Sequence, residues 1–101
     1  MGAKIYKVVD IYHTGNSGKE FERKEGLKYD MRRDKLVKID MHELYIGSQV
    51  ILTLINKDEA FNEDPKGKLL ITTALEKIYK EDGYLFLRTL NSIYKLEEYN
   101  E

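Results

Sequence analysis

The chain has no cysteine and no tryptophan, and a single proline among its 101 residues. Without cysteine there is no disulfide framework, no thiolate metal site and no cysteine nucleophile. A reducing, cytoplasmic setting is the natural expectation. No apolar run approaches the roughly 18 residues that cross a bilayer, and the first residues lack the apolar segment of a secretory signal, so no membrane partner is expected. An excess of either charge is also missing: 17 Lys and Arg face 18 Asp and Glu, for a formal net charge of −1. That balance exerts no overall pull on nucleic acid, where phosphate neutralisation dominates affinity. A chain of this length suffices for one modest core, and one domain is expected over residues 1–101.

Catalytic motifs are missing as well. His13-Thr14-Gly15-Asn16-Ser17-Gly18-Lys19-Glu20 invites a phosphate-loop reading. Such a loop needs four residues between its glycines, Ser or Thr after the lysine, and a helix to follow. Here Gly15 and Gly18 are too close and Glu20 follows Lys19. What remains is a run of backbone N–H groups that, with Lys19, could form an anion nest; the plainer reading is a long hairpin loop. His13 and His42 are the only histidines and do not stand at metal-ligand spacing. Ser17, Ser48 and Ser92 lack a nucleophile-elbow context. Glu97-Glu98 and Asp58-Glu59 fall in solvated segments. No enzyme, cofactor or metal site is expected.

What is present is β-strand patterning. Ile5 to His13 alternates, with Ile5, Val9 and Ile11 on one face and Tyr6, Val8, Asp10 and Tyr12 on the other. Thr14 to Gly18 is a loop, and Phe21 opens a short strand or arm that ends near Glu25-Gly26. Leu27 to Asp30 and Leu36 to Ile39 read as brief alternating pieces. Asp40-Met41-His42-Glu43-Leu44 reads as one helical turn, with Asp40 as N-cap and Glu43 as its capping-box partner. Gln49 to Ile55 is the clearest strand, and Asn56 to Gly67 is a polar loop holding Pro65, with Phe61 as its apolar anchor.

The last third reads as short strands joined by tight turns. Asp82-Gly83 fits a type I′ turn, whose central residues both need φ > 0, so Leu75 to Tyr79 should pair with Tyr84 to Thr89. A second turn falls at Leu90-Asn91-Ser92, where Asn tolerates the left-handed region. The expected fold is a small all-β barrel of five to seven short strands, of the Src-homology-3 type, with one helical turn near residues 40–44; a partly open barrel of the oligonucleotide-binding type is the runner-up. Val50, Leu52, Leu70, Leu85, Leu87, Tyr94 and Leu96 are the expected core.

Three strands, Gln49–Ile55, Lys68–Thr73 and Tyr84–Thr89, are apolar on both faces, although the outside of a small barrel should read polar. A packed second face is expected, as a homo-oligomer interface or a ligand surface. Eight tyrosines and three phenylalanines suit stacking on bases, though tyrosine also fills sheets through strand propensity alone. Arginine forks bind phosphate bidentately. The expected ligand-binding residues are Arg88, Tyr84, Phe86, Tyr12, Lys19 and Arg23. Arg88 stands first, because alternation puts it on the face of Tyr84 and Phe86.

The segment Asp82-Gly83-x-Leu85-x-Leu87-x-Thr89-x-Asn91-Ser92-x-Tyr94-x-Leu96, preceded by Leu70-x-Thr72-Thr73-x-Leu75-x-x-Ile78, resembles a C-terminal pattern of small proteins carried by phages and prophages of Gram-positive bacteria. Leu44-Tyr45-Ile46-Gly47 matches the turn that precedes a strand in those chains. The resemblance covers about half of the chain, which departs from the pattern in its longer Asn56–Gly67 loop. It implies a viral counter-defence protein that sequesters a host signalling nucleotide. The expectation is therefore a non-enzymatic, homo-oligomeric barrel that binds a small anionic ligand, a nucleotide, and withholds it. The alternatives are a protein-binding module that inhibits a host enzyme, or a single-strand nucleic-acid-binding barrel using the basic Lys19–Lys38 stretch.

Overall fold

The computed structural model describes residues 3–15, 20–55 and 68–99. Lys19, most of the proposed anion-nest loop and the long loop with Phe61 and Pro65 lie outside them. The described chain forms six strands: β1 (Ala3–His13), β2 (Leu36–Asp40), β3 (Gln49–Ile55), β4 (Lys68–Glu81), β5 (Tyr84–Thr89) and β6 (Ser92–Glu98). Each pairs antiparallel with the next, and β6 returns to β1. The result is the expected small all-β barrel, closed, with its strands in sequence order. Closure leaves no edge strand among the described residues. No helix among the described residues is long and apolar enough to cross a membrane.

Two long strands make closure possible. β1 pairs with β2 through Ala3–Lys7 and with β6 through Tyr6–His13. β4 pairs with β3 through its first half and with β5 through its second. The pieces read in the sequence as Lys68–Thr73 and Leu75–Tyr79 are thus one strand, bent where its register shifts against each neighbour. A β-bulge sharpens twist and lets a strand turn a corner. At one bend the Val50 N–H donates to Thr72 Oγ1 at 3.0 Å.

The core contains every expected residue: Val50, Leu52, Leu70, Leu85, Leu87, Tyr94 and Leu96 share one buried cluster with Tyr6, Val8, Ile11, Val37, Ile39 and Leu75. The β1 faces differ from the alternation. A register shift between Val8 and Asp10 adds a residue, so Tyr6, Val8 and Ile11 are buried together while Asp10 and Tyr12 are not. The bulge sits where the turn before β2 docks on it: the Val8 N–H donates to Lys35 O and the Asp34 N–H to Val8 O.

Leu27–Asp30 is a second correction. It forms a single helical turn, α1, rather than an extended piece. Gly26, at φ 119°, starts it, and its carbonyl accepts from the N–H groups of Tyr29 and Asp30. Tyr29 packs against the core. The expected turn near residues 40–44 is a 3₁₀ turn, Met41–Glu43, whose N-cap Asp40 accepts from the His42 N–H at 3.0 Å. The Leu90-Asn91 turn is held by the Thr89 hydroxyl, which sits 3.0 Å from both Ser92 N and Ser92 O. The left-handed non-glycine residues described are Phe21, Asp34 and Asp82, so Asn91 takes no such conformation.

Candidate functional site

The Asp82-Gly83 turn sets the site. Both residues have positive φ, 54° and 86°, as a type I′ hairpin requires. The turn fixes Glu81 opposite Tyr84, Tyr79 opposite Phe86 and Lys77 opposite Arg88. With Leu85, Leu87 and Thr89 pointing into the barrel, the side chains of Tyr84, Phe86 and Arg88 stand on its outer wall. The β5–β6 register brings Lys95 beside Phe86 and Ile93 beside Arg88. The β6–β1 register then adds Tyr12 beside Ile93 and Asp10 beside Lys95.

Aromatic rings crowd this wall. Tyr79 and Phe86 stack with centroids 4.9 Å apart and planes 3° from parallel. Lys95 Nζ lies 4.2 Å from the Tyr84 centroid, and Lys77 Nζ 5.1 Å from that of Tyr79, within cation–π range. Residues 20–24 run back along β1 as the expected arm: the Phe21 N–H donates to His13 O, the His13 N–H to Glu22 O, and the Lys24 N–H to Ile11 O. The arm carries Phe21 to the edge of Tyr12, centroids 6.5 Å apart at 64°. Phe21 is 58% exposed and left-handed, at φ 71°, a conformation rare for a bulky residue. Ile93 is fully buried although it sits on the outward side of β6.

Tyr12, Phe21, Tyr79, Tyr84 and Phe86 line an open cleft of about 270 Å³, completed by Glu81 and Asp82 at the hairpin and by Lys95 on β6. The cleft thus sets two carboxylates from the hairpin and the Lys95 ammonium, which lies over Tyr84, beside its aromatic rings. Burial, followed by the nearby Asp10 carboxylate, raises the pKa of the Tyr12 hydroxyl. Burial, then Glu81, does the same for Tyr79. Both hydroxyls stay protonated at neutral pH and can donate hydrogen bonds.

Of the expected site residues, Tyr12, Tyr84 and Phe86 meet in this cleft. Arg88 is their neighbour on the same wall, but its guanidinium is engaged: one terminal nitrogen bonds the Glu20 carboxylate, and Nε lies 3.7 Å from Glu76 Oε1. Arg23 bridges to Tyr12 through the backbone. Its side chain turns to Asp10 at 3.1 Å and Glu25 at 3.9 Å, outside the cleft lining.

Phe21, Tyr79, Lys95, Glu81 and Asp82 were not singled out from the sequence as site residues. Counting outward from the Asp82-Gly83 turn would have found Tyr79, and counting outward from the Leu90-Asn91 turn would have found Lys95.

The wall rests on a buried polar anchor. Arg33, on the turn after α1, has a side chain only 6% exposed. Its Nε donates to Asp10 Oδ1 at 2.7 Å and Nη1 to Asp30 Oδ1 at 2.6 Å, while Nη2 reaches Ile11 O and Lys24 O. Asp10 Oδ1 also accepts from the Ile11 N–H and from Arg23 Nε. Burial alone would raise the Asp10 pKa, but the bonds from Arg33, Ile11 and Arg23 outweigh it and hold the carboxyl below its ordinary value. This network fixes the β1 bulge, the arm and α1 to one another.

The histidines form no dyad. His13 ends β1 and borders a separate hollow of about 300 Å³ with Thr14, Lys24 and Asn91. His42 follows β2 beside the start of β1. The length of β1 separates them, roughly 30 Å at ~3.3 Å per residue. Among the described residues no group of three His, Cys, Asp or Glu could hold a metal. Comparison of the chain with protein-family models, curated proteins and solved structures found no match.

Proposed function

We propose that the protein is a non-enzymatic binding protein that captures a nucleotide in the outer-wall cleft and withholds it. The observation that carries this reading is the convergence of Tyr12, Phe21, Tyr79, Tyr84 and Phe86 on the outside of a barrel, where a solvated wall should be polar. Stacking on aromatic faces is worth about 1–3 kcal/mol per base and tolerates any base. Glu81 and Asp82 can accept from exocyclic amines or ribose hydroxyls. Lys95 and the Arg88 side of the wall favour the anionic part of the ligand. A cleft of about 270 Å³ suits one base and its sugar. Sequestration by a phage protein, as the C-terminal resemblance implies, asks for such a site and no catalytic group. To test the reading, the protein is incubated with nucleotide-rich cell extract, reisolated and heated, and the released small molecules are identified by mass spectrometry. Recovery of an unchanged nucleotide is expected; a converted product would identify an enzyme, and no nucleotide at all would defeat the reading.

A second reading rests on another surface. Ile51 and Ile71 are cross-strand partners on the outside of β3 and β4, with Leu69 two residues along. They are 43%, 54% and 62% exposed. An apolar stripe of this kind suits association with a protein, a second copy of the chain included. Light scattering at tens of micromolar would return a monomer mass if no self-association occurs.

A further inference from the structure

Arg88 and Glu20 come from opposite ends of the chain, 68 residues apart. β5 carries Arg88 outward beside Phe86, and the returning arm carries Glu20 one residue before Phe21. Their charged groups bond directly, and each side chain stays about one-third exposed, 32% and 35%. Glu76 Oε1 lies 3.7 Å from the Arg88 Nε. An arginine one step along the outer face of β5 from Phe86, next to the cleft, thus already holds one carboxylate in direct contact and a second nearby. The nearer carboxylate belongs to the same short arm that supplies a wall of the cleft, and it lies close enough to raise the Tyr79 pKa slightly, after burial, Glu81 and Arg88 have acted.

We propose that Arg88 is the anion subsite of the cleft, and that Glu20 occupies it as an internal stand-in which the 5′-phosphate of a nucleotide displaces. This rests on the nucleotide reading of the aromatic cleft. A phosphate monoester carries about −1.5 to −2 charge near neutral pH and three acceptor oxygens. It fits an arginine fork at least as well as a carboxylate does. Lys95, which lies over the Tyr84 ring, and Lys77, cross-strand from Arg88, add positive charge that Glu20 alone does not use up. The exchange keeps Arg88 paired throughout, so what it breaks is the Glu20 contact, one-third exposed on each side, and partly solvated ion pairs contribute little. The base meanwhile lies against Tyr79 on β4 and Phe86 on β5. The chemistry selected is a planar base joined to a terminal phosphate, with the nucleoside alone binding more weakly.

The test compares four nucleosides (adenosine, guanosine, cytidine, uridine) with their 5′-monophosphates by calorimetric titration. It uses wild type, Glu20→Gln, Arg88→Gln and the double variant. The quantity read is the affinity ratio of monophosphate to nucleoside, which cancels general effects of a substitution on folding or stacking. The ratio should exceed one in wild type and rise by up to about fivefold in Glu20→Gln, the factor a partly exposed ion pair is worth. In Arg88→Gln it should fall toward one, and there the added Glu20→Gln change should have no effect. Nucleosides and monophosphates binding equally well to wild type, or a Glu20→Gln gain that persists without Arg88, would overturn the exchange while leaving the cleft reading intact. Binding of neither set to wild type would overturn the cleft reading and the exchange with it.

Discussion

Replacing Arg33 by Met should destabilise the fold by about 2–4 kcal/mol. The methionine can occupy the volume of the arginine stem but makes none of its hydrogen bonds. Those bonds go to Asp10, Asp30 and the carbonyls of Ile11 and Lys24. Breaking a buried charged pair from one side costs about 3–5 kcal/mol, because the partner is left buried and unpaired. Two features reduce that figure here. Asp30 is 55% exposed and can be hydrated, and Arg23 still reaches Asp10. Against a total stability of roughly 5–15 kcal/mol for a chain this size, the loss should lower the urea midpoint by more than about 1 M at an m-value of about 1–2 kcal/mol/M.

The same substitution carries a pH signature. The folded Asp10 pKa lies below its ordinary 3.8. Its ionised form therefore stabilises the fold fully above that value, and the contribution is lost as pH falls through the lower folded value. The gap between wild type and Arg33→Met should be widest near neutral pH and should narrow below about pH 4. A midpoint change under about 0.5 M at pH 7, or a gap that does not narrow in acid, would refute the account of Arg33 as the anchor of bulge, arm and α1.

Gly83→Val should cost more than ~1 kcal/mol in a denaturant melt, since φ is 86° there and a β-branched residue is strained at such angles; a neutral result would contradict the type I′ assignment. Leu87→Ala should cost about 2–5 kcal/mol, because Leu87 is fully buried in the main core. Ile71→Lys should leave thermal stability nearly unchanged, as the side chain is 54% exposed, and should abolish any self-association seen by light scattering if the β3–β4 stripe mediates it.

The features legible in the sequence were those written in local chemistry. Asp82-Gly83 can hardly be anything but a hairpin turn, and the strict alternation of Tyr84 to Thr89 then dictates which side chains enter the core. Gln49 to Ile55 announced its own limits. What stayed hidden depends on contacts made elsewhere. Nothing in Tyr6-Lys7-Val8-Val9-Asp10-Ile11 marks the extra residue that moves Ile11 into the core, because the bulge exists to receive Lys35 and Asp34 from the next turn. Leu27 to Asp30 alternates as a strand would, yet its backbone bonds close on Gly26 while Tyr29 packs on the barrel core. Arg33 looks like one charge in a basic run until its four acceptors are assembled around it. Part of the candidate site was readable for the same reason: Tyr84 and Phe86, with their neighbour Arg88, share one strand, and Tyr12 alternates on β1, whereas Tyr79, Lys95, Phe21 and Glu20 reach them only through register and through the arm.

The central claim, that the aromatic wall holds a base, is tested most directly by titrating the four 5′-mononucleotides into wild type and Phe86→Ala. Phe86 stacks on Tyr79 at 4.9 Å and, being half-buried on the outer wall, can be truncated without opening the core. At least one nucleotide should bind wild type, and its affinity should fall by about 5- to 150-fold in Phe86→Ala, the equivalent of ~1–3 kcal/mol of base stacking. No binding to wild type, or equal affinity for both proteins, would contradict the account.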